Sequence, residues 1–185
     1  MTNTQRACAV TSVRWATRSN QSTRRRTRAA VERAEAFAVG GGNTFKLLRG
    51  LYEAGVVEGV RARVERGAPY VGWSAGSNVA CPTIRTTNDM PIVEPPSFTG
   101  ISLVPFNINP HYKDSDPAMA PGSETREDRI REYHVRNKNA VVGIEEETMV
   151  RVDDGVATVL GQRRVKLFRV GQAPQSFAAG ERLPL

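Results

Sequence analysis

Cysteines, aromatic residues and long apolar segments are all scarce in this 185-residue sequence. Its two cysteines, Cys8 and Cys81, are too few for a disulfide framework or a four-ligand zinc site, and neither has a histidine at ligand spacing. No apolar run approaches the roughly 18 residues of a membrane-spanning helix, and the N-terminus lacks the apolar stretch of a secretory signal. We therefore expect a soluble, cytoplasmic protein with no metal, no cofactor and no membrane partner.

Acidic residues are absent from the first 30 positions, although the chain contains 19 of them. The same segment holds seven of the 26 basic residues, so residues 31–185 are neutral although the formal net charge is +7. The arginines cluster at 22–28, without interleaved aromatic residues that could stack on bases. We interpret 1–30 as a basic N-terminal segment, with one short strand at Cys8–Val13 and a solvated loop, and we expect no nucleic-acid partner; an arm that binds an anionic polymer is the alternative.

Residues 31–185 alternate between helical and strand patterns, which is typical of a single α/β domain. The patterns predict strands at 36–39, 69–73, 103–108 and 140–144, and helices from 27 onward and at 45–54, 57–66 and 124–136. Residues 148–170 instead resemble an antiparallel hairpin, turning at 153–155, followed by an added strand. We expect a three-layer sandwich with a mostly parallel sheet and a C-terminal antiparallel hairpin.

The segment Gly-Trp-Ser-Ala-Gly at 72–76 lies between a predicted strand and a predicted helix. A nucleophile elbow requires this context, because its sharp turn exposes a serine Oγ and tolerates only small neighbours. Ser74 is therefore the candidate nucleophile, and a tight turn without chemistry is the alternative. The Gly-Gly-Gly-Asn segment at 40–43 ends the preceding strand, so the backbone N–H groups of Gly42 and Ala75 are candidate oxyanion donors.

A serine nucleophile requires a general base, and the chain contains only two histidines. His111 follows a predicted strand, where the strand ends of an α/β sheet surround a crevice, whereas His134 fits a solvated helix surface. The carboxylate that orients the base is one of Glu145–Glu147 or, alternatively, Asp89. The order serine, histidine, acid differs from that of α/β-hydrolases and disfavours their fold.

Four stretches together resemble the bacterial peptidase E family of aspartyl dipeptidases, and the resemblance covers roughly residues 30–170. They are Val39–Phe45, Gly72–Gly76, Cys81–Val93 and Ile108–His111. The resemblance implies a flavodoxin-like sheet, as in class I glutamine amidotransferases, with serine in place of the usual cysteine nucleophile. It also implies hydrolysis of dipeptides with an N-terminal aspartate and no cofactor.

Carried over by position, the resemblance implies catalytic roles for Ser74 as nucleophile, His111 as base and Glu146 as the acid. Asp89 matches an aspartate also proposed as part of this site. Glu146 lies within three adjacent glutamates, so its assignment against Asp89 stays open at this point.

The resemblance also implies an oxyanion hole at Gly42 and Ala75 and substrate binding by Arg126 and Asn43. Arg126 matches the arginine that recognises the substrate's aspartate carboxylate, and a planar guanidinium suits that task through two parallel hydrogen bonds. The alternative is that Arg126 is solvated on the charged helix predicted at 124–136.

The front of the chain departs from the family, whose members begin with a strand and a helix that this sequence apparently lacks. A misassigned start, a homodimer, or re-pairing of the remaining strands would each account for the difference. Two other functions stay open: a cyanophycinase-like exopeptidase, which the Asn-Ile-Asn-Pro-His stretch at 107–111 disfavours, and an inactive truncated homologue that binds acidic peptides.

Overall fold

The computed structural model describes residues 21–114 and 122–185, with side chains from residue 25 onward. Helices α1–α5 span Gln21–Arg33, Thr44–Ala54, Val57–Glu65, Ala75–Ala80 and Arg126–His134. Strands β1–β9 span Phe37–Val39, Tyr70–Gly72, Asn107–Pro110, Val141–Ile144, Thr148–Asp153, Val156–Gly161, Val165–Phe168, Gln175–Phe177 and Arg182–Leu183. The strand predicted at Cys8–Val13 lies outside the described residues. None of the described helices is long and apolar enough to cross a membrane.

The described strands form three sheets in a mixed α/β arrangement. Strands β1 and β2 pair in parallel, and β3 pairs in parallel with β4. Strands β7 and β8 extend the second sheet in antiparallel fashion, while β5, β6 and β9 form an antiparallel sheet. The prediction of an α/β fold is confirmed, but the described strands do not form the single, mostly parallel sheet that we expected. The flavodoxin-like strand order stays a prediction.

A loop lies along the edge of β3 that faces away from β4. The Asn107 Nδ2 group donates to the Thr83 carbonyl at 2.6 Å, and the Thr86 hydroxyl donates to the Ile108 carbonyl at 2.9 Å. Asn109 Nδ2 donates in turn to the Thr86 carbonyl at 2.9 Å. Polar side chains therefore satisfy hydrogen-bonding groups that a neighbouring strand would otherwise pair with.

The strand predicted at 103–108 is wrong at its start, because the first β3 residue is Asn107. Upstream, the N–H groups of Ile101 and Leu103 donate to the carbonyls of Val79 and Ala80, at 2.6 and 2.8 Å. This segment is therefore bonded to the end of α4 and cannot join a strand ladder.

The basic segment at 22–28 is helical, so the loop predicted there is wrong. Helix α1 includes this segment. Further along the same helix, Val31 is 7% exposed and packs in the first core. Arg28 Nε also donates to the Gly55 carbonyl at the end of α2, at 3.2 Å. Arginine is a good helix former and Val31 supplies packing, which explains why this segment is helical.

Helix α4 connects two apolar cores. Val79 packs in the first core with α2 and α3, whereas Cys81, directly after the helix, packs in the second core with β4 and β7. The helix contacts both β2 and β3. The two parallel strand pairs, which do not hydrogen-bond to each other, are thus held together through α4.

The C-terminal hairpin forms as predicted. Asp154 and Gly155 both have positive φ, 46° and 76°, as a tight two-residue hairpin turn between β5 and β6 requires. Strands β8 and β9 are only three and two residues long, and the sequence analysis did not predict them.

Candidate active site

Ser74 occupies a sharp turn between β2 and α4. Its backbone has φ 55° and ψ −119°, which is a strained conformation for a residue other than glycine. The turn is closed by a hydrogen bond from the Gly76 N–H to the Trp73 carbonyl at 3.0 Å. The Ser77 N–H donates to the Ser74 carbonyl, also at 3.0 Å, and begins the helix. This is the local geometry of a nucleophile elbow.

The glycines on either side of Ser74 are sterically required. A methyl group at Gly72 would lie 2.7 Å from the Gly76 carbonyl oxygen, and one at Gly76 would collide with the Val39 carbonyl oxygen. Two side chains that the sequence analysis missed also hold the turn: Tyr70 OH donates to the Gly76 carbonyl at 2.8 Å and Ser77 Oγ to that of Gly72 at 3.0 Å. The only sequence signal for these two contacts was that Tyr70 and Ser77 carry hydroxyl groups close to Gly72 and Gly76.

The glycine-rich loop at 40–42 lies against the candidate nucleophile. A methyl group at Gly41 would be 3.2 Å from Ser74 Cβ and 3.5 Å from Ser74 Oγ. Gly42 has φ 125°, and its N–H donates to no acceptor in the described part of the chain. The N–H of Ala75 is also unused there, since a first helical residue makes no intrahelical bond. The N–H groups of Gly42 and Ala75 are therefore both free donors, as an oxyanion hole requires.

His111 and Glu146 are in direct contact. His111 Nδ1 lies 2.5 Å from Glu146 Oε1, and the two side chains are 50% and 62% exposed. His111 follows the last residue of β3, and Glu146 lies two residues beyond β4, so the parallel pairing of these strands brings the two residues together. A carboxylate on Nδ1 fixes the tautomer in which Nε2 is free to accept a proton.

No hydrogen bond among the described residues joins Ser74 Oγ to the His111 ring. The nucleophile and the base belong to different strand pairs, and α4, which begins next to Ser74, packs against β3. In many hydrolases the bond between nucleophile and base tightens only when substrate binds. The structure thus brings together the candidate base and its candidate acid, and the candidate nucleophile directly precedes α4, which contacts both strand pairs.

Asp89 and Asn43 have structural partners at the start of α2. The Thr44 N–H donates to Asp89 Oδ2 at 2.7 Å. The Asn43 amide accepts from the Lys46 N–H at 3.1 Å and donates to the Met90 carbonyl at 2.7 Å. Asp89 makes no hydrogen bond to His111 in the described residues, and the Asn43 amide keeps one N–H and one lone pair for a further contact.

Arg126 is the first residue of α5, where a cation opposes the helix dipole. Its neighbours on the helix are paired: Arg129 with Glu124 at 2.6 Å and Arg131 with Asp128 at 2.8 Å. No hydrogen bond or ion pair of the half-buried Arg126 guanidinium occurs within the described residues. Burial lowers its pKa, as does the charge of Arg129, while the carboxylate of Asp89 acts in the opposite direction.

The other histidine and Glu147 do not take part in the contact between His111 and Glu146. The ring of His134 is within 3.1 Å of the Asn139 carbonyl through Nε2, near the end of α5. Glu147 lies 3.9 Å from Arg163. Of the three adjacent glutamates, the contact between side chains singles out Glu146.

A serine in a strained turn, together with a histidine and its carboxylate, is typical of hydrolases with a serine nucleophile. A sequence model of Peptidase family S51 matches residues 4–160, and the chain belongs to this family. The resemblance to the peptidase E family is thereby confirmed. A relative from Streptomyces coelicolor named Peptidase E is 50% identical over 155 residues, which cover 84% of this chain and 64% of the relative.

Two further comparisons agree. A Drosophila melanogaster protein named "Probable alpha-aspartyl dipeptidase" is 48% identical over 150 residues, covering 80% of this chain and 62% of the relative. The crystal structure of a peptidase from an acI-B1 actinobacterium has a TM-score of 0.64 at 18% identity, over 86% of this chain and 63% of that one, and shows a shared fold. The chain spans about 64% of the length of its Streptomyces relative.

Proposed function

We propose that the protein is a serine dipeptidase that hydrolyses dipeptides with an N-terminal aspartate. The observation that carries this proposal is the strained turn at Ser74, bordered by two free N–H donors, in a chain of Peptidase family S51. The names of the relatives, Peptidase E and alpha-aspartyl dipeptidase, support the substrate class.

In the proposed mechanism Ser74 Oγ attacks the peptide carbonyl while His111 Nε2 removes its proton. The N–H groups of Gly42 and Ala75 stabilise the oxyanion, and Glu146 stabilises the imidazolium that forms. His111 then returns the proton to the leaving amine, which leaves an aspartyl ester on Ser74. Water, activated by His111, hydrolyses this ester.

Arg126 is the proposed partner of the substrate's side-chain carboxylate. A half-buried guanidinium without an ion-pair partner in the described residues has lost part of its hydration, so a carboxylate ligand regains that interaction. The carboxylate of Asp89, which accepts from the Thr44 N–H at the start of α2, acts against the lowering of the Arg126 pKa by burial, and this supports a position of Arg126 on the side of the loop at 40–43.

Hydrolysis of Asp-Leu, measured beside Leu-Asp, tests both activity and N-terminal selectivity. We expect turnover of Asp-Leu alone, and labelling of Ser74 by a fluorophosphonate probe that Ser74→Ala abolishes. Ser77→Ala is the matched control, because Ser77 lies in the same turn but uses its hydroxyl to hold the Gly72 carbonyl.

Turnover of both dipeptides at equal rates would contradict the proposed selectivity. Labelling without hydrolysis of Asp-Leu would instead indicate a different substrate, such as the β-linked aspartate polymer of a cyanophycinase-like enzyme. The absence of both labelling and hydrolysis would indicate an inactive homologue. The homodimer and the cytoplasmic location stay predictions.

A further inference from the structure

The turn that carries His111 is anchored by a residue that the proposed mechanism does not use. Tyr112, the next residue along the chain, is 1% exposed, and its N–H donates to the Ile144 carbonyl at 2.9 Å. Tyr112 directly follows His111, and Ile144 precedes Glu146 by two residues. This backbone bond therefore lies immediately beside the contact between base and acid.

The Tyr112 ring packs directly on the β4 backbone. A methyl group at Gly143 would lie 2.7 Å from both Cγ and Cδ2 of the ring. The ring also packs against Phe168 of β7, with centroids 5.5 Å apart. A glycine inside a strand often marks such a close approach, and it is the one sequence signal that pointed to this packing.

An ion pair, in which the Asp114 side chain is 63% exposed, holds the same tyrosine through its hydroxyl. Tyr112 OH donates to Asp114 Oδ1 at 3.0 Å, and the same oxygen accepts from Lys166 Nζ at 2.6 Å. Lys166 is 21% exposed, and its Nζ lies 5.8 Å from the Tyr112 ring centroid and 3.6 Å from Glu127 Oε2. Burial by itself lowers the pKa of Lys166, but the hydrogen bonds and charges of Asp114 and Glu127 together outweigh burial and raise this pKa overall.

The base and its acid have no comparable packing of their own. Both side chains are at least half exposed, and His111 has φ 54°, a conformation that is strained for a residue other than glycine. Such a conformation is held by the structure around it. The buried contacts next to His111 are those of Tyr112.

We propose that Tyr112, Asp114 and Lys166 are positioning residues for the general base. Lys166 holds Asp114 and Tyr112 against Gly143, and this keeps His111 in its left-handed turn with Nδ1 on Glu146. The assignment rests on the proposed dipeptidase function and adds three residues to it that do not touch the substrate.

The kinetic test compares Tyr112→Phe and Lys166→Met with Lys138→Met, a control at an exposed lysine without an ion pair in the described residues. We expect kcat for Asp-Leu to fall about tenfold in both test variants, with KM within about twofold, because a misplaced base affects the chemical step. Lys166→Arg should recover most of the loss. Tyr112→Phe removes one oxygen atom and keeps the ring, so it tests the proposal even if Lys166→Met does not fold.

A second readout does not depend on activity. The chain has only two histidines, so ring NMR signals of His111 can be compared with those of His134 as an internal reference. We expect Tyr112→Phe and Lys166→Met to shift the His111 signals and weaken its Nδ1 proton resonance, while the His134 signals stay in place.

The outcomes separate this proposal from the proposed function. If the unaltered protein does not hydrolyse Asp-Leu, the dipeptidase function is wrong, and the NMR comparison still tests the positioning of His111. If it hydrolyses Asp-Leu and the two variants match Lys138→Met in kcat and in His111 signals, the positioning role is wrong. A lower melting temperature with unchanged His111 signals would also overturn it, since that result indicates a structural role alone.

Discussion

The two halves of the candidate site are built in different ways. The Ser74 half is fixed by the backbone: a strained turn, flanking glycines without room for a side chain, and hydrogen bonds within a few residues. The His111 half is held by side chains from the segments that follow β3 and β4, from β7 and from the start of α5. Local sequence therefore determines the geometry of the candidate nucleophile, whereas tertiary contacts determine the position of the candidate base.

The two halves are built differently, but we expect both to be essential for the reaction. Ser74→Ala and His111→Ala should each lower kcat by about 10³-fold or more, because either loss removes the covalent route. The double variant should be little worse than either single one. Steady-state kinetics on Asp-Leu measures all three, and full additivity would show that the two residues do not share a mechanism.

The Arg126 side chain extends the comparison to the substrate. Arg126→Met should cost about 2–4 kcal/mol in kcat/KM for Asp-Leu, since a desolvated substrate charge loses its partner. The ratio of Asp-Leu to Asn-Leu turnover should fall as well, because the neutral isostere never depended on the cation. Arg129→Met is the matched control, as Arg129 is already paired with Glu124. An equal slowing of both substrates would contradict the assignment.

Sequence reasoning was strongest where the signal is local. The elbow at 72–76 and the hairpin turn at 153–155 each depend on neighbouring residues, and the structure has both. The helix predicted from 27 onward begins already at Gln21. Its first residues were missed because the stabilising contact, Val31 in the first core, cannot be inferred from an arginine-rich segment.

Contacts between distant residues were beyond sequence reasoning. The choice of Glu146 among three glutamates depends on a contact to His111 across 35 positions, and the pair of Asp114 and Lys166 spans 52. The start of β3 was misplaced for the same reason, since Ile101 and Leu103 bind the end of α4 rather than a strand. Gly143 was a signal that could have been used.

Replacing the two candidate acids separates an orienting role from a capping role. Glu146→Gln should lower kcat about 10- to 100-fold, because a neutral amide neither fixes the tautomer nor stabilises the imidazolium. Asp89→Asn should have a smaller effect, since an amide oxygen can still accept from the Thr44 N–H. Kinetics on Asp-Leu gives the ranking, and the reverse order would move the orienting role to Asp89.

The steric argument for the Ser74 half is testable by stability alone. Gly76→Ala should destabilise the protein by about 1–3 kcal/mol, because the new methyl group would collide with the Val39 carbonyl. Gly50→Ala, in α2 with no atom within 4 Å of the added methyl, should instead stabilise by up to about 1 kcal/mol. Urea unfolding measures both, and a tolerated Gly76→Ala would show that the turn is less constrained than its geometry indicates.

The smallest effect is expected on α1, outside both halves of the site. Replacing Arg25 and Arg26 with glutamine keeps the helix propensity and removes two exposed cations that have no ion-pair partner in the described residues, so Asp-Leu turnover should stay within about twofold. Arg28→Gln is the comparison within the same helix: it loses the bond to the Gly55 carbonyl and should cost about 0.5–1.5 kcal/mol of stability, again with turnover retained. A collapse of activity in the first variant, or loss of a salt-sensitive complex with nucleic acid in a binding assay, would instead identify the basic face of α1 as a functional arm.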